Sequence, residues 1–475
     1  MRVPKTARTT EKRFLFSAAA SYGSQLGRTV LRLAADLALA RLILPDDHGL
    51  FDLAWPIVLL AGFFRDLGLP YELVRHERQP YGSFLIWELG AGILVAGALA
   101  LGAPLLGGMS PGLPEVLPVL AIFVVLDGLA VVPRIFFERQ LAVNRLLGPE
   151  IGRGVVLAAV SIGLALLDFG VWSFVVGELV AMAVYALVLW RRAWGAIPLE
   201  LDFGMVPRLL RHSALLFLIA LLANAVALVG RFLVKSVADT AMVAQFSKAM
   251  LWSLRTQILI LPALLRALYP ALVAYRSDRH RFLTAYRLGT VAVLSVEILV
   301  AYFLFFNAEV VIVELLLGPN WGPAAELVRI LCLLPLVDVF NLLGGEMLKV
   351  RREDRVWLVI VTVNLLCLGG FGWLLAGRHG VEGVAWAHYL MLGNLLMAWR
   401  VGRICGPEFP RLLADLLYVI AVPLPLYLVA AWLFPPASWA RFAASLAAAA
   451  LAAGLLGLRF HRPFRRFFRD PPVAG

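Results

Sequence analysis

Apolar residues run along almost the whole chain in blocks of about twenty or more, separated by short polar or Pro/Gly-containing breaks. A helix needs roughly 20 mainly apolar residues to cross the hydrocarbon of a bilayer, so each block predicts one crossing. The first seven predicted spans cover approximately residues 14–43, 49–69, 82–107, 115–137, 149–168, 171–190 and 209–236. The second seven cover approximately 241–268, 284–317, 322–348, 356–377, 380–403, 411–434 and 438–459. The ninth is longer than a bilayer requires and is expected to include an interfacial segment. Pro56, Pro133, Pro262, Pro270, Pro335 and Pro423 fall in or near these spans, where each either kinks a helix or marks its end.

Composition agrees with the pattern. The 475 residues are 61% hydrophobic and 16% charged, and a mean hydropathy of +0.85 leaves no wettable surface for a soluble domain. The net charge of +12 changes meaning in this setting, because Lys and Arg gather on the cytoplasmic side of membrane proteins. The N-terminus, the even-numbered connections and the C-terminal tail hold roughly 33 of the 43 Lys and Arg residues, against about five in the opposite connections. Both termini are therefore expected in the cytoplasm, and nucleic acid is not an expected partner. The basic N-terminus resembles the start of a signal peptide, but the apolar run after it is too long and carries Arg28, Arg32 and Asp36, so it is expected to be retained as a first span.

No connection is long enough for an extramembrane enzyme domain, and no GxxxxGK[ST], HExxH, GxSxG or CxxC motif occurs. No cofactor, metal or catalytic residue is expected. Cys332, Cys367 and Cys405 lie within or at the ends of spans, without metal-ligand spacing.

The residues that break the hydrophobic pattern are the functional candidates, because an ionisable group at membrane depth is costly unless it faces a cavity or a partner. Arg28, Arg32 and Asp36 follow at i, i+4 spacing on one face of the first span. Lys248 and Arg255 fall in the eighth span, Arg65 ends the second, and Asp127, Glu297 and Asp338 lie at depth. Arg28, Arg32, Arg65, Lys248 and Arg255 are the expected contacts to an anionic substrate group, since the guanidinium fork grips phosphate oxygens bidentately. Asp36, Asp127, Glu297 and Asp338 are their expected cavity partners. Structural pairing, such as Arg32 with Asp36 or Asp127, suits the same residues, and Arg65 also suits the positive-inside bias. Glu88 and Glu297 suit either a proton or cation site or a carboxylate paired to arginine. Asp46, Asp47 and His48, between Pro45 and Gly49, read as a turn between spans.

A faint internal repeat sets Phe51 and Ala54 beside Phe246 and Ala249, six spans later; chance likeness between apolar segments explains it equally well. The stretch from Ala40 to Arg75, ARLILPDDHGLFDLAWPIVLLAGFFRDLGLPYELVR, resembles the first-hairpin signature of polysaccharide-transport flippases of the multidrug/oligosaccharidyl-lipid/polysaccharide exporter superfamily. Tyr269-Pro270-Ala271, LLGPNW from Leu316 to Trp321, and HGVEGVAWA from His379 to Ala387 match in the expected order. Gly230 before Arg231 departs from the Asp-Arg pair such proteins often carry.

The resemblance implies an all-α polytopic membrane protein with two six-helix lobes around a central cavity and two added C-terminal helices. The corresponding divisions are 1–200, 201–405 and 406–475. It also implies alternating-access transfer of a polyprenyl-pyrophosphate-linked oligosaccharide across the bacterial cytoplasmic membrane. The expected partners are that lipid-linked oligosaccharide, membrane lipids, and the polysaccharide polymerase and export machinery. A cation-coupled small-molecule exporter of the same superfamily and a membrane-embedded polymerase or ligase are the competing readings.

Overall fold

The computed structural model describes residues 31–70, 73, 80–140, 143–202 and 204–469. Among the described residues every regular element is helical and none is a strand. A helix satisfies its own backbone hydrogen bonds, which lipid cannot do.

After a helical stretch at 31–42 come α1 (Pro45–Asp66), α2 (Tyr81–Gly102), α3 (Leu113–Arg139), α4 (Val143–Ala165) and α5 (Trp172–Ala193). Next are α6 (Met205–Val237), α7 (Thr240–Ser253), α8 (Arg255–Ala274) and α9 (Arg279–Glu309). The chain continues through α10 (Gly322–Leu331), α11 (Leu334–Val350), α12 (Asp354–Ala387) and α13 (Gly393–Cys405). It ends with α14 (Phe409–Ala421), α15 (Pro423–Leu433) and α16 (Trp439–Arg469).

Local chemistry sets the ends of these helices. Pro45 opens α1 with Asp46 and Asp47 in its first turn, where carboxylates meet the positive end of the helix dipole. The expected turn at Asp46–His48 is thus the start of a helix, and the buried His48 ring bonds back to the Leu39 carbonyl at 3.2 Å. Asp239 caps α7 by accepting from the Met242 amide at 2.8 Å, and Asp278 caps α9 by accepting from the Arg281 amide at 3.1 Å. Pro56 and Pro133 lie inside helices, whereas Pro335 and Pro423 sit in the first turns of α11 and α15 and mark starts. The long ninth span breaks at Asn307 (φ −128°, ψ 19°) and continues as a π-helical turn, Val310–Leu317.

The chain is a multi-pass membrane protein. Among the described residues nine helical stretches are long and apolar enough to cross a bilayer, or ten if the bent pair Pro319–Leu331 and Leu334–Val350 forms one span. One of the nine, Asp354–Leu433, is 80 residues long, about four bilayer thicknesses if straight. It is interrupted at Gly380 (φ 60°) and Gly406 (φ 57°), and α12 packs back on α13. Most of the first expected span lies outside the described residues, so the count of fourteen continues to rest on the sequence.

The chain divides into two compact units, Met1–Asn224 and Ala225–Gly475. In the first, α3 packs against α1, α2 and α5, and α4 against α5. In the second, α9 is the spine: α8, α10, α11, α14, α15 and α16 all pack on it. The buried Tyr427 hydroxyl on α15 donates to the Leu299 carbonyl of α9 at 2.8 Å, and the Tyr302 hydroxyl of α9 donates to the Ile420 carbonyl of α14 at 3.1 Å. Such bonds matter here because lipid tails are as apolar as leucine, and packing and hydrogen bonds rather than water hold helices together. The outward positions remain apolar, with Leu101 84% and Leu105 86% exposed.

Candidate functional site

In the first unit the polar interior is built around Arg65. This residue sits in the last turn of α1 and is 1% exposed. Its Nε lies 2.8 Å from Glu88 of α2, its Nη2 lies 2.8 Å from Asp127 of α3, and it also pairs with the adjacent Asp66. Its Nη1 donates to the Val124 carbonyl at 2.5 Å. The guanidinium fits between α2 and α3 because two glycines leave room: a Cβ on Gly92 would stand 3.4 Å from the Arg65 Cδ, and one on Gly128 only 3.3 Å. Glu88 is fully buried, while Asp66 and Asp127 keep about a quarter of their side chains exposed. Three carboxylates thus surround one guanidinium, with the Arg134 charge facing Asp127, Glu138 and Asp66 from α3. A second pair, Arg153 to Glu178 at 3.2 Å, joins α4 to α5, and the Arg153 guanidinium lies over the Phe123 and Tyr185 rings.

For Arg65 the sequence offers a head-group contact or an ordinary positive-inside residue. In the structure its charge is met within the first unit, and Asp127, which also suits Arg32, is one of its partners. Glu88 accordingly follows the paired-carboxylate reading. Arg32 is exposed and Asp36 half-buried; among the described residues neither takes part in an ion pair. Arg28 lies outside the described residues.

In the second unit the cations cluster on α6 to α8. Arg231 of α6 donates from Nε to the Ser247 hydroxyl of α7 at 3.0 Å. Two residues earlier on α7, Gln245 donates to the Asn320 carbonyl at 2.8 Å and accepts from the Ala324 amide at 3.0 Å. This two-point tie fixes α7 against the start of α10 and sets Lys248, 8% exposed, with its Nζ 5.9 Å over the buried Trp321 ring. The helix then breaks at Leu254 (φ −97°, ψ 5°), and Arg255 opens α8 with its guanidinium 5.5 Å over the Trp252 ring. Aromatic faces stabilise a cation through the quadrupole of the ring.

The second unit also holds a polar core. Asp338 of α11 accepts from Asn341 at 2.9 Å; Asn341 also bonds Asn394 of α13, which accepts from Asn364 of α12 at 3.0 Å. Glu297 of α9 is 1% exposed, faces the Asp338 charge, and has no hydrogen-bond partner for either carboxylate oxygen among the described residues. A buried carboxylate in that setting is held either as the neutral acid or by a cation. Asn341, Asn364 and Asn394 were missed from the sequence. Their signal was an amide inside an apolar span, uncharged and so not among the ionisable groups.

Residues 38–326 match the family described as polysaccharide biosynthesis protein. The chain belongs to that family. No curated protein sequence matches it. Among solved structures it is similar to the lipid II flippase MurJ in an inward closed conformation, at 13% identity over 94% of this chain and 99% of that one, with a TM-score of 0.74. It is also similar to a multidrug resistance MATE family transporter of the MOP superfamily in its inward-facing conformation, at 17% identity over 79% of this chain and 94% of that one, with a TM-score of 0.64. The outward-facing conformation of a MATE family transporter matches at 18% identity, 80% and 93% coverage and a TM-score of 0.53. At such identities the likeness defines the fold. The family match spans the stretch from Ala40 to Arg75 on which the first-hairpin resemblance rests.

Proposed function

We propose that this member of the polysaccharide biosynthesis family is a flippase, not an enzyme, and that it carries a polyprenyl-pyrophosphate-linked oligosaccharide across the cytoplasmic membrane by alternating access. The observation that carries the reading is the pair of cations flanking the helix break at Leu254: the buried Lys248, and Arg255 at the head of α8. A charged head group with sugars cannot enter hydrocarbon, so a carrier must offer polar groups at depth and leave the lipid tail in the bilayer. A broken helix supplies such groups, because its freed backbone and flanking charges face protein or water rather than lipid. Arg28 and Arg32 belong to the proposed substrate set, with Asp36, Glu297 and Asp338 as polar partners. Arg65 acts within it by holding α1 against α2 and α3 through Glu88 and Asp127.

Both termini are proposed to be cytoplasmic, the lobes to be 1–200 and 201–405 with 406–475 added, and the polymerase and export machinery to be partners. One observation favours cation coupling: Glu297, buried and facing the Asp338 charge, with no hydrogen-bond partner among the described residues. The test is reconstitution of the full chain in vesicles carrying a fluorescent lipid-linked oligosaccharide, with its accessibility to a membrane-impermeant lectin followed in time. Protein-dependent transfer supports the proposal. Transfer no faster than in empty vesicles, from protein shown to be folded, overturns it.

A further inference from the structure

A cavity of about 780 Å³ opens at one end of the second unit, lined by Arg276, Arg279, Arg351, Arg400 and Arg403. These arginines come from three separate parts of the chain: the α8–α9 connection and the start of α9, the α11–α12 connection, and the last turns of α13. One carboxylate organises two of them. Glu353 accepts from the Arg351 Nε at 2.9 Å through one oxygen and from the Arg400 Nε at 2.7 Å through the other. Arg279 is steadied by donating to the Ile404 carbonyl at 3.3 Å, and it lies so close to Gly406 (φ 57°) that a Cβ there would stand 3.0 Å from its Nη2. Arg403 rests over the Trp399 ring at 5.4 Å. Among the described residues Arg276, Arg279 and Arg403 have no carboxylate partner.

The positive-inside bias explains why these connections are basic. It does not explain why five arginines from three segments line one cavity. Like charges repel, and long arginine side chains at a membrane face are free to spread into water. Held together around a void, two by a shared carboxylate and a third by a backbone carbonyl, they present the planar forks that grip phosphate oxygens. Basic pockets between membrane helices on the cytoplasmic side take anionic lipid head groups on the same chemistry.

We propose that this pocket is a second anion site, distinct from Lys248 and Arg255, that binds a ligand carrying two phosphate groups. The shared chemistry is a pair of phosphate charges, whether on a soluble diphosphate or on a lipid head group. The site does not depend on the transport proposal.

The test measures binding to the purified full chain with two probes: inorganic pyrophosphate in detergent, and cardiolipin in nanodiscs against a phosphatidylcholine background. Arg276→Gln/Arg403→Gln removes two exposed, carboxylate-free arginines, so the fold should survive, as a monodisperse elution profile would verify. Arg276→Lys/Arg403→Lys retains the charge, and Arg462→Gln/Arg465→Gln removes the same charge from α16. The expected result is binding of at least one probe that weakens about tenfold or more in the first variant, recovers partly in the lysine variant and is unchanged in the α16 control. Binding of both probes in competition, or of one alone, identifies the source of the ligand and supports the site. Binding of neither, or equal losses in the pocket and control variants, overturns it. Absence of leaflet transfer by the folded parent protein, with pocket binding intact, counts against the transport proposal alone.

Discussion

Replacing Arg65 by alanine leaves Glu88 fully buried with no counter-charge and brings Asp66 and Asp127 into mutual repulsion with it. Removing one partner of a buried ion pair costs about 3–5 kcal/mol, because the remaining charge stays desolvated. For a unit of about 200 residues each kcal/mol moves the melting midpoint by about 2–4 °C, so a fall of roughly 6–20 °C is expected. The assay is thermal unfolding of the purified full chain in one detergent, followed by loss of monodisperse protein on size-exclusion chromatography. Arg65→Ala/Glu88→Ala, which removes both buried charges, should be more stable than Arg65→Ala alone, since the desolvated carboxylate is gone. Coupling between the two residues of about 0.5–3 kcal/mol is the signature of direct contact. If Arg65→Ala melts within about 2 °C of the parent, or if the two effects simply add, the buried network does not hold α1, α2 and α3 together as described.

Two other predictions concern the second unit. Burial pushes the Glu353 carboxyl up, but its hydrogen bonds from Arg351 and Arg400 outweigh this and hold it below its usual range. Its contribution to stability is therefore present above the ordinary glutamate range of about pH 4.3 and is lost as pH falls through the lowered folded value. Melting curves between about pH 7 and 3 should show a shallower acid loss in Glu353→Gln than in the parent, and parallel loss would refute the pairing. Tyr427→Phe removes only the hydroxyl that donates to Leu299 and should cost about 0.5–1.5 kcal/mol, read as a small fall in midpoint; no change would mean that the bond does not tie α15 to α9.

The membrane class was legible because hydropathy is a property of the local sequence. The apolar blocks at 82–107 and 115–137 reappear as α2 and α3 with ends shifted by a few residues. The interruptions at Leu254 and Asn307 were not legible, since neither position carries proline or glycine. The fate of Arg65 was hidden for a related reason. At the end of a span it looks like any positive-inside residue, and only the slot opened by Gly92 and Gly128 on two other helices shows that it is buried. Conversely, Lys248 and Arg255 are visible as charges inside an apolar block, where either a substrate contact or a structural pairing accounts for them. The asparagines around Asp338 fell between these cases: polar enough to bond one another across three helices, yet uncharged.

The central claim is that cations at membrane depth carry an anionic head group between leaflets. It is tested most directly by measuring leaflet transfer of a lipid-linked oligosaccharide in vesicles containing the parent or Lys248→Gln/Arg255→Gln, matched for folded protein by elution profile and melting midpoint. Loss of charge-assisted hydrogen bonds to phosphate predicts a transfer rate at least about tenfold lower in the variant. Transfer at the parental rate from folded variant protein would contradict the account.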